Sequence, residues 1–566
     1  MTLAGDLGGD LARLARGWRG PALAALIAFL AGLPGLLAVP PLDRDESRFA
    51  QATAQMLETG DFVVIHYQEQ PRFKKPVGIH WLQAASVSLL SSAEAREIWA
   101  YRMPSLLGAM LAAAACAWGA RAFFGEPAGL LAGAMLASTL MLSTEALIAK
   151  TDAVLCGCTT LALAALGRMY AEAHGGPPAG RRAWLLFWLG IALGVLVKGP
   201  IAPMVAVLAM AALAIADRNA RWLARLNWVW GLILTAAIVG PWAGAVTVAT
   251  DGGFWSAALA GDLAPKLAGG QETHGAPPGY HTLLAPLLLF PMTLMLPAAV
   301  VTAVRRWREP GVRFALAWLI PAWIVFEATP TKLVHYTLPT YGAIAWLAAA
   351  ALTQPIGARS RWTGAAAAGV FGLLLAGGAF YLVELYGDAS DVPAALLTAL
   401  LLAGAGIAGG WLLVRRSPTA AVAGAVGLGL AGHGALAAGL APRLSPLWLS
   451  ERTEKALEKA QLLPEQGIAD APVTVTGYAE PSLVFAVGTE TEIAGPEDAA
   501  QAIYEHRPAV VEDRQAAAFA KALAQYRTTA HLVATVQGLD YSDGRKKTLR
   551  VYEAATPAPA NPGGGQ

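Results

Sequence analysis

Long apolar runs separated by short polar turns dominate the chain. About 20 consecutive apolar residues are enough to cross a bilayer as a helix. The pattern therefore predicts an all-α polytopic membrane protein with about thirteen transmembrane helices. The predicted spans lie near residues 21–40, 103–122, 127–146, 150–168, 183–198, 200–216, 227–249, 281–303, 313–328, 335–353, 363–385, 392–414 and 418–440.

Basic residues in the short turns predict the orientation, because Lys and Arg are enriched on the cytoplasmic side. If the N-terminus is cytoplasmic, every second turn is also cytoplasmic, and these turns contain most of the arginines of the short turns. The turns on the opposite side contain more Asp and Glu. This alternation agrees with an odd number of spans. It places the loops 41–102 and 250–280, and everything after residue 441, outside the cytoplasm.

The first outer loop, residues 41–102, carries the densest charge of the chain. Helical periodicity over 46–58 and 77–90 predicts two helices lying along the membrane surface. Residues 62–65, between them, have the apolar character of a strand. We expect this loop to be the centre of the protein's chemistry and the spans to be its scaffold.

After residue 441 the pattern changes to that of a soluble α/β domain. Residues 448–463 and 497–525 have helical periodicity, and 473–476 and 483–487 have the pattern of strands. A turn signal between 532–537 and 547–552 predicts a hairpin. We thus divide the chain into a transmembrane catalytic domain (1–440), a soluble domain (441–555) and a disordered tail (556–566) rich in Pro, Ala and Gly.

Composition narrows the functional class. The chain is 56% hydrophobic, only 14% charged, and its net charge of +2 gives no reason to expect nucleic-acid binding. Its three cysteines form no disulfide framework, and no Cys and His residues have metal-ligand spacing. A glycine-rich phosphate loop of the nucleotide-binding kind is also missing from the sequence. A sugar donor would therefore have to be held by something other than a Rossmann domain.

Ionisable groups at a membrane surface are costly and need a reason. Several lie in separate turns on the predicted outer side, where they could converge. These residues are Asp45, Glu46, Arg48, Lys74, Lys75, Lys150, Asp152, Lys198, Lys266, His274, Lys332 and Tyr336.

Each candidate has a functional and a structural interpretation. Neighbouring carboxylates such as Asp45 and Glu46 push their pKa values apart, so one can act as a general base; acids also favour the first turn of a helix. The basic group ending in Lys75 suits a phosphate or simple headgroup attraction. Lys198 and Lys332 at span ends are either site residues or snorkelling anchors. The loop 250–280 is either a lid over a lipid-facing cavity or a plain connection.

A set of short motifs occurs in a fixed order along nearly the whole chain. It comprises Asp45-Glu46-Ser47-Arg48-Phe49, Gly60-Asp61, Lys75-Pro76, His80-Trp81, Arg102-Met103-Pro104-Ser105, Asp152, Lys198-Gly199-Pro200, Pro241-Trp242 and Lys332 to Pro339. The set resembles the polyprenyl-phosphate-dependent GT-C glycosyltransferases. It is most similar to the aminoarabinose transferase (ArnT-like, glycosyltransferase family 83) branch, which is related to the protein O-mannosyltransferases.

The resemblance implies an inverting sugar transfer from a polyprenyl (undecaprenyl) phosphate to an envelope acceptor such as lipid A or lipopolysaccharide. Asp45 would be the catalytic base, with Glu46 beside it. The donor phosphate would be bound by Arg48, Lys75, Lys266, Lys332 and Tyr336, with Lys74, Asp152, Lys198 and His274 as further site residues. Lys74 departs from the branch, in which a glutamate often precedes the Lys-Pro pair.

The resemblance leaves several alternatives open. No cofactor is implied with certainty, and a divalent metal stays open. The sugar is open between aminoarabinose, galacturonic acid and other pentoses or hexoses, and the acceptor could also be a protein or another glycan. From another class, a transporter or flippase of a lipid-linked sugar would show matched broken helices and midplane charges, and a structural envelope subunit would need no Asp-Glu pair. We expect a monomer in a bacterial inner membrane, in contact with membrane lipids.

Overall fold

The structure is a computed structural model that describes residues 3–265, 275–464 and 472–555. The predicted site residues Lys266 and His274, and the predicted disordered tail, lie outside the described residues. The helices of the N-terminal part are α1 (Leu3–Ala15), α2 (Arg19–Ala38), α3 (Asp45–Thr59), α4 (Gly78–Leu90), α5 (Ile98–Phe124), α6 (Glu126–Ala137), α7 (Leu140–Glu145), α8 (Asp152–Ala173), α9 (Ala183–Lys198), α10 (Ile201–Asp217), α11 (Trp228–Ala249), α12 (Gly253–Ser256), α13 (Tyr280–Leu288), α14 (Leu296–Arg305), α15 (Pro310–Ala328), α16 (Tyr341–Leu352), α17 (Ala358–Tyr386), α18 (Val392–Arg415) and α19 (Pro418–Gly434).

The helical bundle has the apolar spans that hydropathy predicts. Among the described residues, eight helices are long and apolar enough to cross a membrane, and a pair bent by 108° makes up to nine. Four shorter apolar helices accompany them: α6, α9, α10 and the segment Leu338–Leu352. The chain is thus a multi-pass membrane protein, and the count of about thirteen spans stays a prediction.

Burial separates the central helices from the peripheral ones. In the most apolar part of α8, 94% of the residues are buried inside the protein, against 11% for α11. Helices α5 and α8 cross where Gly108 meets Gly157, and a Cβ on Gly157 would lie 2.5 Å from the carbonyl oxygen of Gly108. Small residues at such a crossing let two backbones approach closely, as is common in membranes.

The first loop forms the two predicted helices, α3 and α4, and their position along the membrane surface stays a prediction. Most of α3, from Glu46 to Met56, is buried. The predicted strand 62–65 is a loop, and the short strands β1 (His66–Tyr67) and β2 (Gln70–Pro71) follow it. In place of a neighbouring strand, the carboxylate of Asp61 accepts hydrogen bonds from the backbone amides of Val63 and Val64 at 2.9 and 3.0 Å.

The C-terminal domain contains a five-stranded mixed sheet with the order β4-β3-β5-β7-β6. Its strands are β3 (Thr474–Thr476), β4 (Glu492–Ile493), β5 (Ala509–Glu512), β6 (Ala530–Asp540) and β7 (Arg545–Ala554), and its helices are α20 (Leu449–Lys459), α21 (Pro481–Val487), α22 (Pro496–Tyr504) and α23 (Ala516–Gln525). The predicted β6–β7 hairpin is confirmed. Residues 483–487 are helical rather than a strand, because Pro481 begins a helix as a favoured first residue.

The C-terminal domain docks directly on the first loop. Phe485 of α21 is buried and meets the ring of Tyr101 edge-on, with centroids 5.2 Å apart. The Thr489 hydroxyl accepts a 2.7 Å hydrogen bond from the side-chain Nε2 of Gln51. The two regions therefore lie at the same end of the bundle, as the alternation of charge predicts.

Candidate active site

A cavity of about 350 Å³ lies where the first loop meets the ends of the helices α8 and α9. Among the described residues, seven Lys or Arg and three Asp side chains line it, so the formal charge of this lining favours an anion. The charged and polar lining residues are Asp43, Arg44, Asp45, Arg48, Arg72, Lys74, Lys75, Lys150, Thr151, Asp152, Lys198, Thr331, His335 and Tyr336.

A larger and more open groove of about 900 Å³ separates the first loop from the C-terminal domain. Four acidic side chains and one basic side chain, Arg507, occur in its described lining. That charge does not suit a phosphate. The smaller, basic cavity is therefore the candidate active site.

Asp45 begins helix α3 and is exposed at the cavity. A carboxylate in the first turn of a helix is favoured by the amide dipoles there. Within the described part of the chain, its carboxylate makes no hydrogen bond to the protein. The group thus has both oxygens available for a ligand, as a general base requires.

Glu46, the predicted catalytic neighbour, faces the other way and is 1% exposed. Its Oε1 accepts hydrogen bonds from Arg102 Nε at 2.8 Å and from the Ala149 amide at 2.7 Å. Its Oε2 accepts from Arg102 Nη2 at 2.7 Å and from the Leu42 amide at 2.8 Å. The Glu46 carboxylate is not part of the cavity lining, and four donors use its two oxygens. We therefore revise the predicted role of Glu46 from catalysis to positioning.

Arg102 links this carboxylate to the end of the first span. Besides its two bonds to Glu46, the guanidinium donates to the carbonyls of Leu36, Val39 and Pro40 at 3.2, 2.6 and 2.9 Å. Helix α2 ends at these carbonyls, which need partners there. The buried Arg102–Glu46 pair thereby fixes the direction in which the chain enters α3 and presents Asp45.

The basic wall of the cavity comes from the turn before α4. Arg72, Lys74 and Lys75 line the cavity together with Arg48 of α3. The Arg72 guanidinium lies 5.3 Å from the ring centroid of Phe49, which also lines the cavity. An aromatic face beneath a guanidinium holds it by a cation–π contact. The structure thus brings the predicted residues Arg48, Lys74 and Lys75 together.

The deeper wall is a buried network of alternating charge. Asp152 pairs with Lys198 at 2.5 Å, and Glu145 pairs with Lys150 at 2.9 Å. His335 lies between them, with Nε2 3.5 Å from Asp152 Oδ1. Since each lysine has a carboxylate partner, the network is close to neutral. The predicted site residues Asp152 and Lys198 therefore act as one unit in this wall.

Lys332 and Tyr336, predicted to share a helical face, diverge. Residues 331–337 are not helical: Thr331 is in an isolated bridge, 332–333 have no regular structure, and 334–337 form a turn. The Lys332 ammonium is buried and donates to the carbonyls of Glu327 and Thr329 at 2.9 and 2.5 Å, at the end of a span. Tyr336 lines the cavity, with its ring centroid 5.6 Å from Lys198 Nζ. We therefore revise Lys332 from phosphate binding to capping a helix end.

The loop 250–280 returns to the cavity at its far end. Gly275 pairs with Thr331 in an isolated bridge, and Thr331 lines the cavity. The predicted lid function of this loop stays a prediction. In residues 3–265, 275–464 and 472–555, no group of three or more His, Cys, Asp or Glu side chains is arranged to hold a metal ion.

Sequence reasoning missed several cavity residues. Asp43 and Arg44 belong to the same charged run as Asp45, and His335 adjoins Tyr336, so a signal was present in the sequence. Burial raises the pKa of Asp43 to about 7, and the nearby carboxylates of Glu480 and Asp540 add to the effect. Glu480 and Asp540 belong to the C-terminal domain, more than 400 residues away in the chain, whereas the hydrogen bond from Ser482 of the same domain acts in the opposite direction and lowers the pKa of Asp43.

Comparisons with known proteins agree with this geometry. Residues 74–244 match the family described as dolichyl-phosphate-mannose-protein mannosyltransferase. The chain is 28% identical, over 322 residues, to the undecaprenyl phosphate-alpha-4-amino-4-deoxy-L-arabinose arabinosyl transferase of Aeromonas salmonicida (strain A449). That match covers 55% of this chain and 57% of the relative, so the chain spans a little over half the length of the relative.

The structural comparison extends over nearly the whole chain. ArnT from Cupriavidus metallidurans bound to undecaprenyl phosphate superimposes with a TM-score of 0.73 at 19% identity, covering 94% of this chain and 96% of that one. Its apo form gives a TM-score of 0.71 at 18% identity over the same shares of both chains. The chain has the ArnT fold. The resemblance to ArnT-like GT-C proteins, expected from the ordered motifs, is thereby confirmed.

Proposed function

We propose that this ArnT-like chain transfers a sugar from a polyprenyl phosphate to an envelope acceptor, with inversion at the anomeric carbon. The observation that carries the proposal is the basic cavity with the Asp45 carboxylate exposed at it. A lipid-linked sugar phosphate has the charge and the membrane location to suit such a cavity. The Cupriavidus ArnT, whose fold the chain shares, binds undecaprenyl phosphate.

The first loop supplies five of the seven Lys and Arg side chains in the described cavity lining: Arg44, Arg48, Arg72, Lys74 and Lys75. In the deeper wall, Lys150 and Lys198 are paired with the carboxylates of Glu145 and Asp152. We assign the donor phosphate to the first-loop side, mainly to Arg48 and Lys75, with Lys74 and Tyr336 as further contacts. Fixed cations aimed at a leaving phosphate stabilise the negative charge that grows as its bond breaks.

Asp45 is proposed to act as the general base. It would take the proton from the acceptor hydroxyl while the hydroxyl oxygen bonds to the anomeric carbon. The bond from that carbon to the phosphate oxygen breaks with its electron pair, and polyprenyl phosphate leaves. Attack from the side opposite the phosphate gives the inverted product. Such proton transfer contributes about 10²–10⁴-fold to a rate.

The acceptor is proposed to be lipid A or another part of lipopolysaccharide, and the membrane a bacterial inner membrane with the site on its periplasmic side. The alternating charge of the turns supports this orientation. The named relative of Aeromonas salmonicida supports aminoarabinose as the first sugar to test. We propose that the chain acts as a monomer.

The test is mass spectrometry of lipid A and of the polyprenyl-phosphate pool from cells with and without the protein. We expect lipid A to lose one fixed sugar mass in cells without the protein, and the matching lipid-linked sugar to accumulate. Loss of that mass from a protein or another glycan would retain the chemistry and change the acceptor. If no acceptor loses mass and the donor only changes its side of the membrane, the transporter interpretation replaces ours.

The residue assignment needs a purified-protein assay. Asp45→Asn should lower turnover at least about 100-fold while the protein still binds undecaprenyl phosphate, because only the proton acceptor is removed. Asp251→Asn is a matched control, since Asp251 is exposed and outside the cavity lining. Turnover of Asp45→Asn equal to that of the control would show that Asp45 is not the base.

A further inference from the structure

The tip of the β6–β7 hairpin in the C-terminal domain reaches the residues directly before Asp45. The Tyr541 hydroxyl accepts a 2.6 Å hydrogen bond from the Asp43 amide. The carbonyl of Ser542 accepts a 3.0 Å bond from the Arg44 guanidinium. These pairs are 498 residues apart in the chain. The hairpin therefore contacts the backbone that carries the proposed base.

A second contact comes from helix α21. The Ser482 hydroxyl donates to the Asp43 carboxylate. Ser482 also bonds the Ser450 hydroxyl at 2.6 Å, and Ser450 bonds the Tyr478 hydroxyl at 2.8 Å. Each hydroxyl has one proton to donate. If Ser482 donates to Asp43, then Ser450 donates to Ser482 and Tyr478 to Ser450, and the row of hydroxyls points at Asp43.

The backbone held by these contacts is strained. Arg44 has φ 60° and ψ −105°, a conformation that non-glycine residues rarely adopt. Such a conformation persists only where the surrounding structure enforces it. On the membrane side, Glu46 is fixed by Arg102. The hairpin and Ser482 are the described contacts that hold the other side of the same turn.

The hairpin tip is itself well braced. Lys547 pairs with Asp540 at 2.7 Å, across the two strands. The Asp540 side chain accepts from the Ser542 amide at 3.1 Å, and its carbonyl accepts from the Gly544 amide at 2.8 Å. Gly544 has φ 73°, which only glycine adopts without strain. Because the hairpin tip is held rigidly, it can hold the backbone at Asp43 and Arg44 in one place.

We propose that Tyr541 is a positioning residue that holds the turn at Asp43 and Arg44 and so sets the place of the Asp45 carboxylate. The proposal rests on the proposed function for its effect on catalysis. The C-terminal domain then completes the active site without contributing a group to the chemistry. A displacement of about 1 Å in a catalytic group can cost about 100-fold in rate.

The test compares Tyr541→Phe with Tyr504→Phe in the purified full-length protein. The first variant removes one hydroxyl and keeps the ring. The second removes the hydroxyl of an exposed tyrosine elsewhere in the same domain. Hydrogen–deuterium exchange is followed in the peptide covering residues 40–46, and turnover is measured against donor concentration. Ser482→Ala is the second variant, since it loosens the same turn through the Asp43 side chain.

We expect Tyr541→Phe to speed exchange in residues 40–46 about tenfold, as loss of one hydrogen bond implies. Its kcat should fall about tenfold or more, with KM for the donor within about twofold, because the base moves and the phosphate contacts stay. Tyr504→Phe should match the unmodified protein in both measurements. Unchanged exchange and kcat in Tyr541→Phe would overturn the proposal, as would a raised KM with unchanged kcat.

The two readouts separate this proposal from the proposed function. If the unmodified protein transfers no sugar from any polyprenyl phosphate, the proposed function fails. Exchange in residues 40–46 still tests the contact, and faster exchange in Tyr541→Phe and Ser482→Ala would then support a positioned turn that serves another reaction.

Discussion

Glutamine in place of Glu46 keeps the size of the side chain and removes its charge. Each carboxylate oxygen accepts one guanidinium N–H of Arg102 and one backbone amide. Whichever way a glutamine amide is turned, its NH₂ group would face two donors. The substitution also leaves a guanidinium that is 0% exposed without a compensating charge.

Removing one partner of a buried ion pair costs about 3–5 kcal/mol. We expect Glu46→Gln to lower the free energy of unfolding by that amount, and turnover to fall because the entry to α3 shifts. Unfolding can be followed by tryptophan fluorescence in detergent. The control is Glu451→Gln, which breaks a surface pair with Lys455 and should cost about 0.3–0.5 kcal/mol.

A double variant sharpens the test. Glu46→Leu with Arg102→Met removes both charges, and apolar replacement of a whole buried pair is often neutral. We expect it to be more stable than Glu46→Gln alone and still slow in turnover, since the carbonyls at the end of α2 lose their donor. If Glu46→Gln costs no more than Glu451→Gln, the inferred role of the pair is refuted.

Further predictions concern the two lysines and the acid before Asp45. Lys75→Ala should raise KM for the donor about 30-fold, the equivalent of a charged hydrogen bond of about 2 kcal/mol. Lys332→Met should lower the thermal midpoint and leave that KM unchanged. Equal KM values for the two variants in steady-state assays would contradict the different roles given to the two lysines. The raised pKa of Asp43, about 7 against 3.8, means that its protonated form stabilises the fold fully below pH about 4 and that this contribution is lost as pH rises through about 7. Asp43→Asn should therefore flatten the change in thermal midpoint between pH 5 and pH 8, and an unchanged slope would count against the assignment.

Hydropathy predicted the membrane part of the fold well because span formation is a local property. Helices α3 and α4, and the β6–β7 hairpin, also followed from local periodicity. The helical periodicity of residues 497–525 does not correspond to one continuous helix. This region contains strand β5, Ala509–Glu512, whose four residues are too short to show a period, and only pairing with β3 and β7 makes it a strand.

The sequence was enough to predict which residue types form the site, but not which way each side chain points. Asp45 and Glu46 are adjacent in sequence, and only Arg102, 56 residues away, decides which carboxylate is buried. Lys332 and Tyr336 are four apart, a spacing that gives a shared face only in a helix. Their segment is not helical, and the lysine reaches back to the carbonyls at the end of the preceding helix. Long-range packing set both outcomes.

The docking of the β6–β7 hairpin has a consequence for biosynthesis. The turn before Asp45 is synthesised 498 residues ahead of the hairpin residues that contact it. During synthesis and insertion the helices can assemble while Asp43 and Arg44 still lack these contacts. If Tyr541 positions the turn as proposed, a nascent chain would hold Asp45 in place only after strand β7 has formed and paired, so an incompletely made chain would lack a positioned base.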